Sequence, residues 1–246
     1  MLNFIHDGKK HIICLVGGGG KTTIMYELAT HYAQQGRKVL VLTSTHIMQP
    51  ERSVYAQSVA EVQSLWQRGS YAVIGTVEAE SGKLTFPSAS LYVALKQQAD
   101  IILCEADGAK RKPCKVPAVH EPVILPECDV VIAVAGADAL WQPLGKACFR
   151  WELAACLENK NGEVLRNIRI DAEFLSRLLT DVCGARKNVG ARSYYVVVNK
   201  CDTITENVAH EVRAALLARG LQSEQIWMRG NLSVKQERDS EGNENV

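Results

Sequence analysis

The chain has no surplus of charge of either sign. Lys and Arg number 28 and Asp and Glu 27, a formal net charge of +1 over 246 residues. A surface that tracks nucleic-acid phosphates leaves a basic excess, so a nucleic-acid partner is not expected. No run approaches the roughly 20 apolar residues that span a bilayer, which argues against a membrane partner. The apolar stretch before residue 17 is short for a secretory signal and lacks a small-residue cleavage site. No C-x-x-C occurs among the cysteines at 14, 104, 114, 128, 148, 156, 183 and 201, so neither a disulfide framework nor a zinc site is expected. Reduced, mostly buried thiols suit a cytoplasmic protein, with Cys114, between Pro113 and Lys115, the one expected at the surface. Internal repeats and low-complexity tracts are missing too. A content of 47% apolar and 22% charged residues excludes wholesale disorder.

What is present is a rhythm of short apolar runs, at 11–16, 39–43, 71–77, 101–105, 130–135, 194–198 and 226–228. Several do not alternate, which predicts strands buried on both faces, as in a parallel sheet covered by helices. Helical spacing lies between them. One helix is expected over 22–35, burying Ile24, Met25, Leu28, Ala29 and Tyr32 and stopped by Gly36. Others are expected near 59–67 and 88–98, then one capped by Asp171 that buries Phe174, Leu175, Leu178, Leu179 and Val182. A last helix opens on Thr203-x-x-Glu206, a capping-box spacing, and stops at Gly220. The expectation is an α/β fold: a mostly parallel, doubly wound sheet with helices on both faces. A single domain is expected over 1–232, followed by a disordered polar tail, 233–246.

The strongest local signal is Gly17-Gly18-Gly19-Gly20-Lys21-Thr22-Thr23, between the first strand and the first helix. Glycines there let backbone N–H groups surround a triphosphate, and the helix start adds partial positive charge. Lys21 is the candidate for the β- and γ-phosphates and Thr22 for Mg2+. The pattern G-x-x-x-x-G-K-[ST] asks for glycine where Leu15 stands, and Val16 occupies the signature lysine position of a related variant. Placement between strand and helix nonetheless makes nucleotide binding the preferred reading and gives the sheet a P-loop NTPase type.

Asn199-Lys200-Cys201-Asp202 follows a buried run and precedes a helix, the N-K-x-D pattern of guanine-nucleotide binders. Guanine's N1–H and exocyclic amine can both donate to one carboxylate, here Asp202; adenine offers no such pair. The Lys200 stem would cover a face of the base, and Asn199 would tie neighbouring loops together. An ordinary polar turn capped by Asp202 would spell the same residues. GTP is therefore favoured over ATP without excluding it.

Glu105-Ala106-Asp107-Gly108 fits a [DE]-x-x-G switch. Its acidic residue reaches Mg2+ directly or through water, and its glycine meets the γ-phosphate. Glu105 holds the acidic position, Asp107 is a second candidate, and both join Lys21 as candidate catalytic residues. Thr45, at the end of the second strand, is a further metal candidate; His46 and His120 lack ligand spacing. The stretch 109–126 carries four of the chain's seven prolines, so no regular element is expected there and it reads as an extended, mobile loop.

On the segments 16–23, 43–46, 105–124, 135–144 and 199–202, taken in that order, the chain resembles the YqeC-like family of selenium-dependent hydroxylase accessory proteins. The segment EADGAKRKPCKVPAVHEPVI is the most specific of these. The resemblance implies a P-loop NTPase similar to GTPases that help deliver nickel or cobalamin, acting on a molybdenum hydroxylase or its maturation machinery. It also implies a possible homodimer. Family members carry a His-Arg-Pro-Glu-like stretch where this chain reads Phe149-Arg150-Trp151-Glu152. An ATP-dependent small-molecule kinase or nucleotidyl-transfer enzyme, and a nucleotide-bound interaction module without turnover, remain the alternatives.

Overall fold

The structure, a computed structural model, describes residues 8–158 and 160–230. The tail expected to be disordered, 233–246, lies outside the described residues. The strands are β1 (His11–Gly17), β2 (Val39–Thr43), β3 (Tyr55–Ala56), β4 (Ala72–Ile74), β5 (Thr76–Val77), β6 (Leu84–Thr85), β7 (Ile101–Glu105), β8 (Cys114–Lys115), β9 (Val130–Gly136), β10 (Cys148–Phe149), β11 (Ser193–Asn199) and β12 (Ile226–Met228). The longer helices are α1 (Lys21–Gln34), α2 (Val59–Gln67) and α3 (Ala89–Lys96). After the short α4 (Leu144–Ala147), α5 (Ala155–Glu158) and α6 (Gly162–Asn167) come α7 (Ala172–Thr180) and α8 (Glu206–Ala218).

Eight strands form one sheet in the order β12-β11-β9-β1-β7-β2-β4-β3. Every neighbouring pair in it is parallel. Alternate residues of each central strand feed two separate cores. Ile13, Leu15, Val41, Leu103 and Ile132 pack with Ile24, Met25, Leu28 and Tyr32 of α1 on one face. Cys14, Val16, Leu42, Cys104 and Ala133 pack with residues of α2, α3, α7 and α8 on the other. The expected doubly wound α/β sheet is thus observed, with β1 central. The strand register places the C-terminal ends of β7, β1, β9 and β11 side by side, where open α/β sheets bind ligands.

Several local expectations are corrected. The run 71–77 is not one strand: β4 stays in the main sheet, while β5 leaves at Gly75 to pair antiparallel with β6. The last helix is capped by Thr205, whose hydroxyl accepts from Val208 N at 3.4 Å, and not by Thr203, which ends a 3-10 turn. Val182 lies beyond α7 and is exposed. Cys114 is buried; the exposed thiol is Cys156. The stretch 109–126 is not an extended mobile loop: β8 pairs in parallel with β10, and Cys114, Lys115 and Val116 are buried. Proline density prevented a long element there without preventing burial.

The buried face of α7 generates a test of this packing. Leu178→Ala should lower unfolding stability by about 2–5 kcal/mol through the cavity it leaves. Asp171→Ala, which removes the cap on Phe174 N at 2.7 Å, should cost about 1 kcal/mol. Urea unfolding of both variants checks the ranking.

Candidate functional site

The turn from β1 into α1 is tightly packed. A Cβ at Gly17 would lie 2.3 Å from Val134 O and one at Gly19 2.0 Å from Gly136 N; both residues also have positive φ. Only glycine meets both demands. The amides do not all behave as the motif suggests. Gly17 N donates to both Asp107 carboxylate oxygens at 3.1 Å. Gly18 N donates to Val134 O at 2.8 Å and Gly19 N to Lys112 O at 3.0 Å. The donors left are those at the helix start. The first intrahelical bond runs from Ile24 N to Gly20 O, so the amides of Lys21, Thr22 and Thr23 precede it, and Gly20 supplies no side-chain cap. By contrast α2, α3, α7 and α8 are capped by Ser58, Ser88, Asp171 and Thr205. An anion is the natural complement to such a bare helix start.

Lys21 and Thr22 open α1 facing the end of β7. The buried Lys21 ammonium donates to Gly17 O at 2.6 Å and pairs with Asp107 Oδ1 at 3.1 Å; Glu105 Oε1 is 3.9 Å away. The Thr22 hydroxyl donates to Glu105 Oε2 at 2.6 Å. The two carboxylates thus divide the loop: Asp107 holds the glycine turn and its lysine, Glu105 the threonine. Thr22 and Glu105 are thus the residues that would hold a Mg2+, a hydroxyl and a carboxylate being the oxygen ligands such an ion takes. Burial, aided by the charge of Asp107, raises the Glu105 carboxyl above its ordinary 4.5, despite Lys21 and the Thr22 hydroxyl acting the other way.

The strongest site residues missed by sequence reasoning lie just beyond. Lys115, whose side chain is fully buried, pairs with Asp107 Oδ2 at 3.3 Å and Glu121 Oε2 at 2.6 Å and donates to Gly108 O at 2.7 Å. Arg150 completes the row on Glu121. Burial pushes the Glu121 carboxyl up, but the Lys115 bond and charge, Ala118 N–H and Arg150 outweigh it, and the net shift is downward. The available signals were Lys115 and Glu121 inside the segment 105–124 and Arg150 in the stretch 149–152, all reached only through the family resemblance.

The second motif meets the first. Asn199, at the end of β11, donates from Nδ2 to Gly19 O at 2.8 Å across 180 positions. Its Oδ1 accepts from Arg229 at 2.6 Å, and Arg229 also pairs with Glu27 of α1. These two bonds fix which way the amide faces. Lys200 has positive φ, and its ammonium bonds Asp138 Oδ2 at 2.6 Å. Asp202 is exposed, beside the backbone of Gly230. Asp138 lies in the family segment 135–144 and Arg229 in the stretch after the last apolar run, a candidate base-contacting loop in the sequence, whereas no pattern marked Glu27.

The remaining candidates are placed less centrally. Thr45 Oγ1 lies 3.4 Å from Thr43 Oγ1, which donates to Glu105 O at 2.9 Å; Thr45 thus reaches the acidic strand end only through Thr43. Gly108 has open space where a Cβ would stand and contributes its carbonyl to Lys115. His46 pairs with exposed Glu78 at 3.3 Å. Among the described residues, no group of three or more His, Cys, Asp and Glu could hold a metal, and no helix is long and apolar enough to cross a membrane.

Fold and site together define an α/β protein whose parallel sheet carries a lysine-bearing glycine turn against a paired-carboxylate strand end. The chain belongs to the YqeC family: the family model described as YqeC protein matches residues 13–152. That span holds the glycine turn, both carboxylates, Lys115, Glu121 and Arg150. A curated relative, "Uncharacterized protein YqeC" of Escherichia coli (strain K12), is 35% identical over 136 residues. The match covers 52% of this chain and 53% of the relative, so it spans about half the length of each. No solved structure matches the chain.

The raised Glu105 carboxyl carries a pH signature. A group that binds its proton more tightly when folded opposes folding as pH rises from about 4.5 through its folded value, and the loss persists above it. Glu105→Gln keeps an oxygen for Thr22 and removes that loss. Its melting temperature should exceed the wild type's at pH 7–8, with the gap narrowing toward pH 4.5. Thermal melts across that range check it; a gap of constant size contradicts the assignment.

Proposed function

We propose that this chain is a nucleoside-triphosphate-binding protein that takes GTP with Mg2+ in preference to ATP and hydrolyses it as a reset. The observation that carries this reading is the Asn199 amide on Gly19 O. It joins the phosphate-loop motif to the base-recognition motif, two segments far apart in sequence that a nucleotide would have to bridge. In this reading the amides at the start of α1 and the Lys21 ammonium take the phosphates, Lys21 releasing Asp107 as it does so. Thr22 and Glu105 would hold Mg2+, which supplies charge neutralisation between the phosphates. Asp202 accepts the two guanine donors, and Lys200, anchored on Asp138, lies along the base.

The client follows from the family resemblance: maturation of, or cofactor delivery to, a selenium-dependent molybdenum hydroxylase. A homodimer around nucleotide belongs to the same expectation.

Competitive displacement of a fluorescent guanine nucleotide tests the reading. Asp202 is exposed, and once a bound base covers it a charge-assisted bond contributes roughly 1.5–3 kcal/mol, so one net bond gives GTP more than a tenfold advantage over ATP. Asp202→Asn should move the preference toward XTP, because its amide can donate to the 2-oxo group. Lys21→Ala should weaken all triphosphates by tenfold or more, about 1.4 kcal/mol upward. Equal displacement by ATP and GTP would remove the guanine assignment. Unchanged triphosphate binding in folded Lys21→Ala would remove the phosphate loop.

A further inference from the structure

Five side chains form one continuous row of alternating charge: Lys21, Asp107, Lys115, Glu121, Arg150. The links are 3.1 Å from Lys21 to Asp107, 3.3 Å from Asp107 to Lys115 and 2.6 Å from Lys115 to Glu121, closed by the Arg150–Glu121 pair. The first four side chains are at most 8% exposed and Arg150 is 27% exposed, so the row runs from the phosphate loop to the surface. At that end the Arg150 guanidinium stacks 4.6 Å from the Phe149 ring centroid, and Arg150 holds a left-handed backbone with φ 57°.

Each carboxylate in the row is shared between two cations, and the one inner lysine, Lys115, is shared between two carboxylates. Asp107 divides its attraction between Lys21 and Lys115; Glu121 divides its own between Lys115 and Arg150. In a buried, poorly screened setting, weakening one link strengthens the next and weakens the one after it. Loss of Arg150 leaves Glu121 drawing harder on Lys115, so Asp107 holds Lys21 more firmly. Loss of the Glu121 charge lets Lys115 turn to Asp107, and Lys21 is freed.

We propose that Arg150 is a positioning residue for the phosphate loop, setting through Glu121, Lys115 and Asp107 how readily Lys21 leaves Asp107 for a triphosphate. This rests on the nucleotide reading given above. The coupling is carried by contacts and not by the general field of a nearby positive charge. Lys110 separates the two, because its ammonium also lies near the Phe149 ring, 5.1 Å from the centroid, yet among the described residues it pairs with no carboxylate.

The test is calorimetric triphosphate binding to the full chain and four variants, each checked for a cooperative melt. Arg150→Met should weaken binding about two- to thirtyfold, the range over which residues along a coupled network act. Arg150→Lys should restore most of it, Glu121→Gln should strengthen binding by a similar factor, and Lys110→Met should leave it unchanged. An equal loss in Lys110→Met and Arg150→Met would overturn the proposal in favour of a through-space field; no loss in Arg150→Met would overturn it outright. If the wild type binds no triphosphate, the nucleotide reading fails, and a double-mutant cycle of Lys21→Met with Arg150→Met in urea unfolding decides the row alone. Residues without shared contacts add. A coupling of about threefold or more in the unfolding constant supports the row, and additivity refutes it.

Discussion

The Asp107 carboxylate, 2% exposed, is the group on which the site depends. It receives Gly17 N–H, Lys21 and Lys115 at once, so the last residue of the central strand, the first residue of the helix and the buried lysine of the following segment share one anion. A carboxylate this deep is tolerated only when paired and hydrogen-bonded, and removing either lysine throws its full attraction onto the other. The same arrangement holds Lys21 in reserve: two of its ammonium's three N–H donors go to Gly17 O and Asp107, so a phosphate can take the third and compete with Asp107 for the charge.

Around that anchor, sheet order does the assembling. With β7 and β9 on either side of β1 and β11 beyond β9, the ends that carry Glu105, the glycine turn, Gly136 and Asn199 become neighbours. The close approach of Gly19 to Gly136 and the Asn199 bond to Gly19 O are local results of that order. Arg229, just past β12, adds the outermost strand by bonding Asn199 and pairing with Glu27.

Much of this was legible in the sequence. The apolar runs 101–105 and 226–228 are strands with those bounds, because burial on both faces writes itself as an unbroken apolar run. The phosphate-loop and N-K-x-D segments were visible because their residue types are unusual at their spacing. The Lys115–Glu121–Arg150 row was not, since it is built from three separate positions in an irregular region and no periodicity marks which charges turn inward. Cys114 was misplaced for the same reason: its polar and proline neighbours resemble a surface loop, but pairing of β8 with β10 buries it. The inward-facing amides of Gly18 and Gly19 depend on Val134 and Lys112, residues that sequence spacing could not bring to the turn.

Amide hydrogen exchange, with and without GTP and Mg2+, tests the central claim most directly: that the glycine turn and the Asn199 turn form one nucleotide site organised on Asp107. Nucleotide should slow exchange together in 20–23 and in 199–202, while 105–108 changes as Lys21 leaves Asp107. Protection confined to one of the two motifs, or an exchange pattern unaltered by saturating GTP, would contradict it.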